Sequence, residues 1–307
     1  MNGSHGQVTA SRREPEAIEG ADEGPRMTTR KFVDKRVVIT GAASGLGRAL
    51  SLRFARERWR IAIADINLDR ADETLTMVRS AGGDGFVQRC DVRRDEDFDA
   101  LAERVKKEWG GLDVLVNNAG IATAGTVVTT PPADWDAIIN ISLLGVVRGC
   151  RTFVPMLLSQ RSGHVVNIAS FAAIASAPGM ASYNVVKAGV FSLSESLRAE
   201  VFDDGVDVTV ACPAFFRTNL LESFRGPDPA VKATVARFMD HASVTADVVA
   251  NDIYEATMHG RFLVISHADA RWQYRVKRAA PELFYREVRR MMKKMINGRP
   301  RAAGEAR

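Results

Sequence analysis

Tyr183 and Lys187 have side chains and a spacing that suit acid–base chemistry. Residues four positions apart on a helix lie on one face, so the phenol and the ammonium should lie side by side. A neighbouring cation favours the phenolate and lowers the pKa of a tyrosine from about 10 toward neutral pH. Such a tyrosine can serve as a general acid or base. Ser170, thirteen residues earlier at the end of an apolar run, could donate a hydrogen bond to the same substrate oxygen.

Taken alone, this pair is common on amphipathic helices, and a second motif gives it weight. An apolar run ends in TGAASGLG, residues 40–47, and a helical pattern begins at once. Glycines permit a tight turn and let backbone amides approach a pyrophosphate at the positive end of a helix. The candidate dinucleotide-binding residues here are Gly41, Ser44, Gly45, Leu46 and Gly47.

Asp65 closes the second apolar run, 18 residues after Gly47. A carboxylate there accepts hydrogen bonds from the adenosine 2′-OH and repels a 2′-phosphate, which favours NAD over NADP. The alternative role, a helix N-cap, suits Asn67 better. Arg48 and Arg70 are near enough in sequence to leave NADP as the less favoured alternative.

Short β-branched runs alternate with helical patterns from Lys35 onward. Strands are predicted at residues 37–40, 61–65, 85–90, 112–117, 164–170, 206–212 and 261–265, and helices at 46–58, 68–81, 95–109, 132–160, 181–204 and 245–259. Strands that are apolar on both faces and alternate with helices predict an α/β fold, a doubly wound parallel sheet of the Rossmann type. About seven strands carry helices on both faces, and ligands bind beyond the strand C-termini.

The composition predicts a soluble chain with three parts. Residues 1–28 have almost no large apolar side chains and are predicted to be a disordered leader. Residues 29–268 form the dinucleotide-binding catalytic domain, and residues 269–307 form a basic helical extension. The sequence shows no apolar run near the ~18 residues that cross a bilayer. Cys90, Cys150 and Cys212 are interpreted as buried reduced thiols of a cytoplasmic protein, with no metal site.

Five ordered motifs resemble the short-chain dehydrogenase/reductase family across residues 35–266. They are TGAASGLG, Asp91-Val92, NNAG at 117–120, Asn140 with Ser170, and YNVVK at 183–187. The resemblance implies that Asp91 and Val92 hold the adenine. It implies that Asn117, Asn118, Ala119 and Gly120 line the cofactor and stiffen the sheet.

The same resemblance assigns the catalytic roles. Asn140 would keep a water in a proton relay through Lys187, which also grips the nicotinamide ribose. Tyr183 would exchange the proton and Ser170 would steady the substrate oxygen. After the sixth strand the family has Pro-Gly, whereas this chain has Pro213-Ala214. Thr218 then stands where the family binds the carboxamide.

The chain is therefore expected to be an NAD(H)-dependent oxidoreductase acting on a secondary alcohol or ketone. An NADPH-dependent ketoreductase is the alternative within the enzymes, and a non-catalytic dinucleotide-sensing or membrane-associated protein is the alternative outside them. The resemblance also implies a homodimer or homotetramer. Nucleic-acid binding is not expected, because the basic residues form one short tail without a reader motif.

Two segments bear on substrate and partners. Residues 215–239, the lid segment, contain turn formers and apolar side chains, Phe215, Phe216, Leu220, Leu221 and Phe224, opposite a predicted wall of Phe171, Ile174 and Met180. They suggest a hydrophobic substrate. From 261 to 307, 13 Lys and Arg oppose 4 Asp and Glu, and Phe284, Val288, Met291 and Met295 form an apolar stripe after a break at Pro281. The stripe could pack on protein or lie on an anionic membrane.

Overall fold

The computed structural model describes residues 32–226 and 229–297, and at 219, 229–231 and 291–297 it describes the backbone alone. The predicted leader, residues 1–28, lies outside the described residues. The described residues form one parallel sheet with helices on both faces.

Seven parallel strands form one sheet. They are β1 Arg36–Thr40, β2 Arg60–Asp65, β3 Asp84–Arg89, β4 Val114–Asn117, β5 Gly163–Ile168, β6 Val206–Ala211 and β7 Leu263–Val264. Their order is β3-β2-β1-β4-β5-β6-β7, and every neighbouring pair is parallel. The predicted doubly wound sheet is confirmed. The strand order reverses between β1 and β4, where such folds leave a crevice for ligands.

Helices cover both faces of the sheet. Their bounds are α1 Gly45–Ala55, α2 Leu68–Ser80, α3 Asp95–Trp109, α4 Pro132–Ser142, α5 Leu144–Gln160, α6 Ala172–Ala175, α7 Ala181–Glu200, α8 Pro229–Asp240, α9 Ala246–Met258, α10 Ala268–Ala279 and α11 Pro281–Asn297. Two short 3₁₀ helices, Phe202–Asp204 and Asn219–Ser223, complete the described elements. The sequence did not predict α6, α8 or the second 3₁₀ helix.

Side chains of alternate strand residues pack into two separate apolar cores, one on each face of the sheet. Val38, Leu115 and Val165 pack with side chains of α3, α5 and α7 on one face. Val37 and Val116 pack with α1, α2 and α9 on the other. Because side chains of a strand alternate between faces, β-branched residues at every position bury both faces and specify a sheet between two helical layers.

The predicted helix at 132–160 is two helices that meet at Leu143, where φ is −116° and ψ is −60°. Together they are long and apolar enough to cross a membrane by length and composition, although no such run was expected. The apolar side of α5 is used inside the fold, since Val146, Phe153 and Leu157 are buried in the first core. We therefore interpret this stretch as a core helix.

The C-terminal helix α10 lies beside α6, and α11 packs against α10. Lys277 of α10 donates a hydrogen bond from Nζ to the carbonyl oxygen of Ile174 in α6. Phe284 and Val288 of α11 are buried. The predicted break falls at Ala280, between the two helices. Two members of the predicted apolar stripe are thus covered by protein, while the side chains of Met291 and Met295 lie outside the described ones.

Candidate active site

A cavity of about 610 Å³ opens beyond the C-terminal ends of the strands. Fifteen of the predicted site residues line it: Gly41, Ser44, Gly45, Leu46, Asp65, Asp91, Val92, Asn118, Ala119, Gly120, Ser170, Tyr183, Lys187, Pro213 and Thr218. Gly47 and Asn140 do not line it. The glycine turn and the Tyr183 region therefore share one space, as the order of the motifs predicts.

At Gly41 and Gly47 the glycine turn has no room for a side chain. Gly41 has φ +65° and Gly45 has φ +52°, in the left-handed region that favours glycine. A Cβ on Gly47 would lie 2.1 Å from the carbonyl oxygen of Gly41 and 2.7 Å from Nδ2 of Asn118. Gly47 thus acts behind the cavity surface by letting α1 approach the turn. The free amides at the start of α1 then suit a pyrophosphate.

Hydrogen bonds join this turn to the segment after β4. Oγ1 of Thr40 accepts from the amides of Asn118 at 3.0 Å and Ala119 at 3.1 Å. Nδ2 of Asn118 donates to the carbonyl oxygens of Thr40 at 2.9 Å and Gly41 at 3.0 Å. We call residues 40–47 and 118–120 the cofactor floor. Its backbone is fixed across the point where the strand order reverses.

Asp65 lines the cavity at the end of β2, where the adenosine end of a dinucleotide is predicted. Its Oδ2 accepts from the amide of Ala43 at 2.9 Å, and its Oδ1 accepts from the amide of Asn67 at 2.9 Å. The carboxylate is thereby held against the glycine turn. Asn67 caps α2 by accepting from the amide of Arg70, as predicted. The residue types and their placement fit an adenosine ribose.

Asp91 forms a close ion pair with Arg93, 2.5 Å between Oδ2 and Nη2. Hydrogen bonds from Arg93 hold the pKa of Asp91 below its ordinary value. Both residues line the cavity with Val92. Arg93 was not among the predicted site residues, although its position two residues after a carboxylate is a signal that could have been used.

Asn117 was expected to line the cofactor, and this is wrong. It is buried in β4 and its Nδ2 donates to Oδ1 of Asn167 in β5 at 2.9 Å. A Cβ on Gly149 would lie 2.1 Å from Oδ1 of Asn117, so α5 packs closely against this amide. The side chain bridges strands, which agrees with the expected stiffening of the sheet, while its neighbour Asn118 faces the cavity.

Tyr183 and Lys187 lie on the first turns of α7 and are almost fully buried, with 8% and 6% of their surfaces exposed. Nζ of Lys187 donates to the carbonyl oxygen of Ile168 at 2.8 Å, at the end of β5. It lies 5.8 Å from the centre of the Tyr183 ring. Ser170 follows two residues after β5, its Oγ accepts from the amide of Ala172 at 3.1 Å, and it lines the same cavity as Tyr183. The structure thus brings the three predicted side chains together.

Burial controls the titration of this group. The pKa of Tyr183 is raised, chiefly because burial disfavours the phenolate, and the nearby Ser170 hydroxyl opposes this only partly. Burial lowers the pKa of Lys187 to about 8. The expectation that the ammonium would pull the phenol pKa down is therefore wrong for this structure, since the cost of desolvation is the larger effect.

Asn140 lies near the end of α4, three residues before the helix break. Its carbonyl oxygen accepts from Nη1 of Arg148 at 3.3 Å. Its side-chain Oδ1 is buried and has no hydrogen-bond partner among the described residues. A buried acceptor of this kind suits an ordered water. The water relay itself stays a prediction.

The far end of the cavity is apolar and is closed by the lid segment. Phe215, Phe216, Leu220, Leu221, Val235 and Met239 line it from the lid, facing Phe171 and Met180. The lid is more helical than predicted, because α8 supplies Val235 and Met239 at helical spacing. Phe224 and Ile174 do not line the cavity, contrary to the expected wall. Ile174 belongs to the first core instead.

Backbone hydrogen bonds attach the lid segment to the chain after β4. The amide of Ala124 donates to the carbonyl oxygen of Arg225 at 2.9 Å, and the amide of Arg225 donates to the carbonyl oxygen of Ala122 at 3.0 Å. Thr218 lines the cavity and its Oγ1 accepts from the amide of Leu220 at 3.1 Å. Its hydroxyl thus caps the 3₁₀ helix while facing the predicted carboxamide position.

Comparison with known proteins agrees with this site. A family model described as short chain dehydrogenase matches residues 35–228. The oxidoreductase EphD of Mycobacterium tuberculosis is 40% identical over 191 residues, 62% of this chain but 32% of EphD, so the match spans about a third of that relative. The oxidoreductase SadH of the same organism is 32% identical over 244 residues, 78% of this chain and 88% of SadH.

A solved structure gives the same result. The crystal structure of a short chain dehydrogenase/reductase from Burkholderia phymatum in complex with NAD matches this fold with a TM-score of 0.76. The sequences are 28% identical, and the match covers 84% of this chain and 96% of that chain.

Proposed function

The chain belongs to the short-chain dehydrogenase/reductase family, and from this premise we propose that it transfers a hydride between NAD(H) and a hydrophobic secondary alcohol or ketone. One observation supports the proposal above the others: Ser170, Tyr183 and Lys187 face the same cavity as the cofactor floor. A nicotinamide dinucleotide seated on that floor would extend toward the phenol.

Each side chain has one task in this proposal. The bound nicotinamide supplies or accepts the hydride. In alcohol oxidation the Tyr183 phenolate takes the hydroxyl proton, and in ketone reduction the phenol returns it. Ser170 donates a hydrogen bond to the substrate oxygen. Lys187 holds the nicotinamide ribose and places a positive charge beside the phenol. Asn140 would hold a relay water.

The preference for NAD is proposed from Asp65. Its carboxylate is fixed at the adenosine end by two backbone amides, so a 2′-phosphate would meet a negative charge that cannot turn away. The apolar residues of the lid favour a substrate with a hydrophobic body around its carbonyl.

The first test is a panel of secondary alcohols and ketones, followed by absorbance of the reduced nicotinamide. We expect activity with the wild-type chain and a loss of about 10²- to 10⁴-fold in kcat for Tyr183→Phe, the range of general acid–base catalysis. Tyr285→Phe, at an exposed phenol of α11, is the matched control and should keep full activity. Equal turnover by Tyr183→Phe and the wild type would contradict the proposed role.

The cofactor preference has its own test. In Asp65→Ala, the ratio of kcat/KM for NADP(H) to that for NAD(H) should rise about tenfold or more, because the variant no longer repels the 2′-phosphate. A tenfold change corresponds to about 1.4 kcal/mol. Asp69→Ala, outside the cavity lining on the first turn of α2, controls for net charge. A wild-type preference for NADP(H) would favour the alternative, an NADPH-dependent ketoreductase.

The oligomer, the cytoplasmic location and the membrane contact stay predictions. The burial of Phe284 and Val288 favours protein packing over lipid for that part of the stripe.

A further inference from the structure

The lid segment reaches beyond the substrate end to the adenosine end of the cavity. Glu222, in the 3₁₀ helix of the lid, accepts a hydrogen bond at Oε2 from Nη1 of Arg70 in α2, at 2.6 Å. Both side chains line the cavity together with Asp65. An ion pair therefore crosses the mouth of the cavity where the adenosine ribose would lie.

Arg70 and Arg48 differ in their availability. Arg48 donates to the carbonyl oxygen of Ala43 at 2.7 Å, to Thr74 at 2.9 Å and to Glu73 at 3.1 Å, so its guanidinium is fixed between α1 and α2. It does not line the cavity. Arg70 lines the cavity, and Glu222 is the first cause of its raised pKa, with Asp65 contributing as well. Of the two arginines, Arg70 is thus the one whose guanidinium a phosphate near Asp65 could reach.

We propose that the Glu222–Arg70 bridge is a latch that closes the lid over the adenosine end and withholds Arg70 from a 2′-phosphate. The inference rests on the proposed function and deepens it, since it adds a lid residue to the groups that select NAD. Asp65 repels the phosphate directly, whereas Glu222 competes with it for the nearest guanidinium. One carboxylate therefore couples lid position to cofactor choice.

The pair is about half exposed, 43% and 52% of the two side chains, so the latch is weak and sensitive to salt. A weak latch suits a lid that must open for each product to leave. The effects of breaking it should be a few-fold rather than absolute.

The experiment measures dissociation constants and dissociation rates of NADH and NADPH by nucleotide fluorescence, without substrate, on the full chain. Three variants are compared with the wild type: Glu222→Gln, Arg70→Gln and Glu73→Gln. The last removes a neighbouring carboxylate that pairs with Arg48 and is the matched control.

In Glu222→Gln we expect NADH to dissociate about 2- to 5-fold faster and NADPH to bind about 3- to 10-fold tighter. These ranges correspond to the small free energy of an exposed ion pair, since about 1.4 kcal/mol equals a tenfold change. In Arg70→Gln, NADH should dissociate faster without any gain for NADPH, because no guanidinium is released. Glu73→Gln should leave both constants within about twofold. High salt should reduce the differences.

Unchanged constants in Glu222→Gln, or equal changes for NADH and NADPH, would overturn the latch while leaving the proposed function intact. A gain for NADPH in Arg70→Gln as large as in Glu222→Gln would also overturn it. Failure of the wild-type chain to bind either dinucleotide would instead refute the proposed function and the latch with it.

Discussion

The cofactor floor and the lid segment are two sides of one cavity, and they are built differently. Thr40 and Ala43 of the floor are 2% exposed, and the Thr40 hydroxyl fixes the floor by accepting hydrogen bonds from the amides of Asn118 and Ala119 after β4. In the lid, Phe215 and Phe238 stack on each other with their ring centres 5.3 Å apart, and both remain more than 40% exposed.

The difference separates two requirements. A dinucleotide is the same molecule in every turnover, so its seat can be rigid and can be specified by glycines and backbone amides. A substrate must enter and leave, so its side of the cavity consists of elements joined by a few hydrogen bonds and exposed ion pairs. Elements with few buried contacts open at low free energy. We expect changes in the floor to affect cofactor binding and stability together, and changes around the substrate end to affect KM.

Among the changes that test the contrast between floor and lid, Gly47→Ala has the largest expected effect. The added Cβ would meet the Gly41 carbonyl oxygen at 2.1 Å, and neither backbone can yield without moving the turn. We expect a loss of about 1–3 kcal/mol in the free energy of unfolding, and a similar strain in the cofactor floor would weaken NADH binding about ten- to a hundredfold. Denaturant unfolding measures the stability, and nucleotide fluorescence measures the affinity for NADH.

The control for that change is Gly110→Ala. Gly110 has a φ of +73°, which strains an alanine, but an added Cβ there would meet nothing within 4 Å and the residue does not line the cavity. It should lose stability without losing NADH affinity. Equal affinity in the wild type and Gly47→Ala would show that the floor tolerates movement and would remove the contrast with the lid.

The next effect is on the pH dependence. Because the pKa of Tyr183 is raised, the phenolate is scarce at neutral pH, so kcat/KM for alcohol oxidation should rise about tenfold per pH unit toward alkaline pH. Ketone reduction uses the phenol and the Lys187 ammonium. It should therefore fall above pH about 8, where Lys187 loses its proton. Initial rates in both directions across this range provide the test. Oxidation that slows with rising pH would contradict the assignment of Tyr183 as the base.

The smallest expected effect is that of Lys277→Met. Lys277 holds α6 through the Ile174 carbonyl oxygen, and Ala172 and Ala175 of α6 line the substrate end. Loss of one hydrogen bond, about 0.5–1.5 kcal/mol, should raise KM for the alcohol about 2- to 10-fold. NADH affinity should not change. Arg275→Met, on an exposed position of α10, should leave KM unaltered, and an equal rise in both variants would indicate a general charge effect.

The sequence was sufficient for the sheet and for most of the floor. Consecutive β-branched residues can be buried on both faces only in a covered parallel sheet, and glycines at fixed spacing after a strand leave few other arrangements. Tyr183 and Lys187 were predicted to adjoin because α7 is regular. In each case the signal is local in the chain.

The misses depend on contacts between distant residues. The break at Leu143 has no proline, and Gly145 two residues later is a weak signal by itself. The helical character of the lid emerges only where it packs. Asn117 and Asn118 are identical in type, but Asn117 ends β4 and bonds Asn167 of β5, whereas Asn118 follows the strand and lines the cavity. The pKa of Tyr183 was misjudged because spacing reveals its neighbour but not its burial. The Arg70–Glu222 pair joins positions 152 residues apart.

Helix α6 lines the cavity and is held by α10, so residues that follow the last strand help to position part of the cavity wall. Those residues lie outside the 35–228 stretch that the family shares. Under the proposed function, changes in α10 would therefore alter the fit of the substrate while leaving the dinucleotide seat unaltered. For a designer, exchanging this helix between relatives is a route to new substrate range that spares the catalytic machinery.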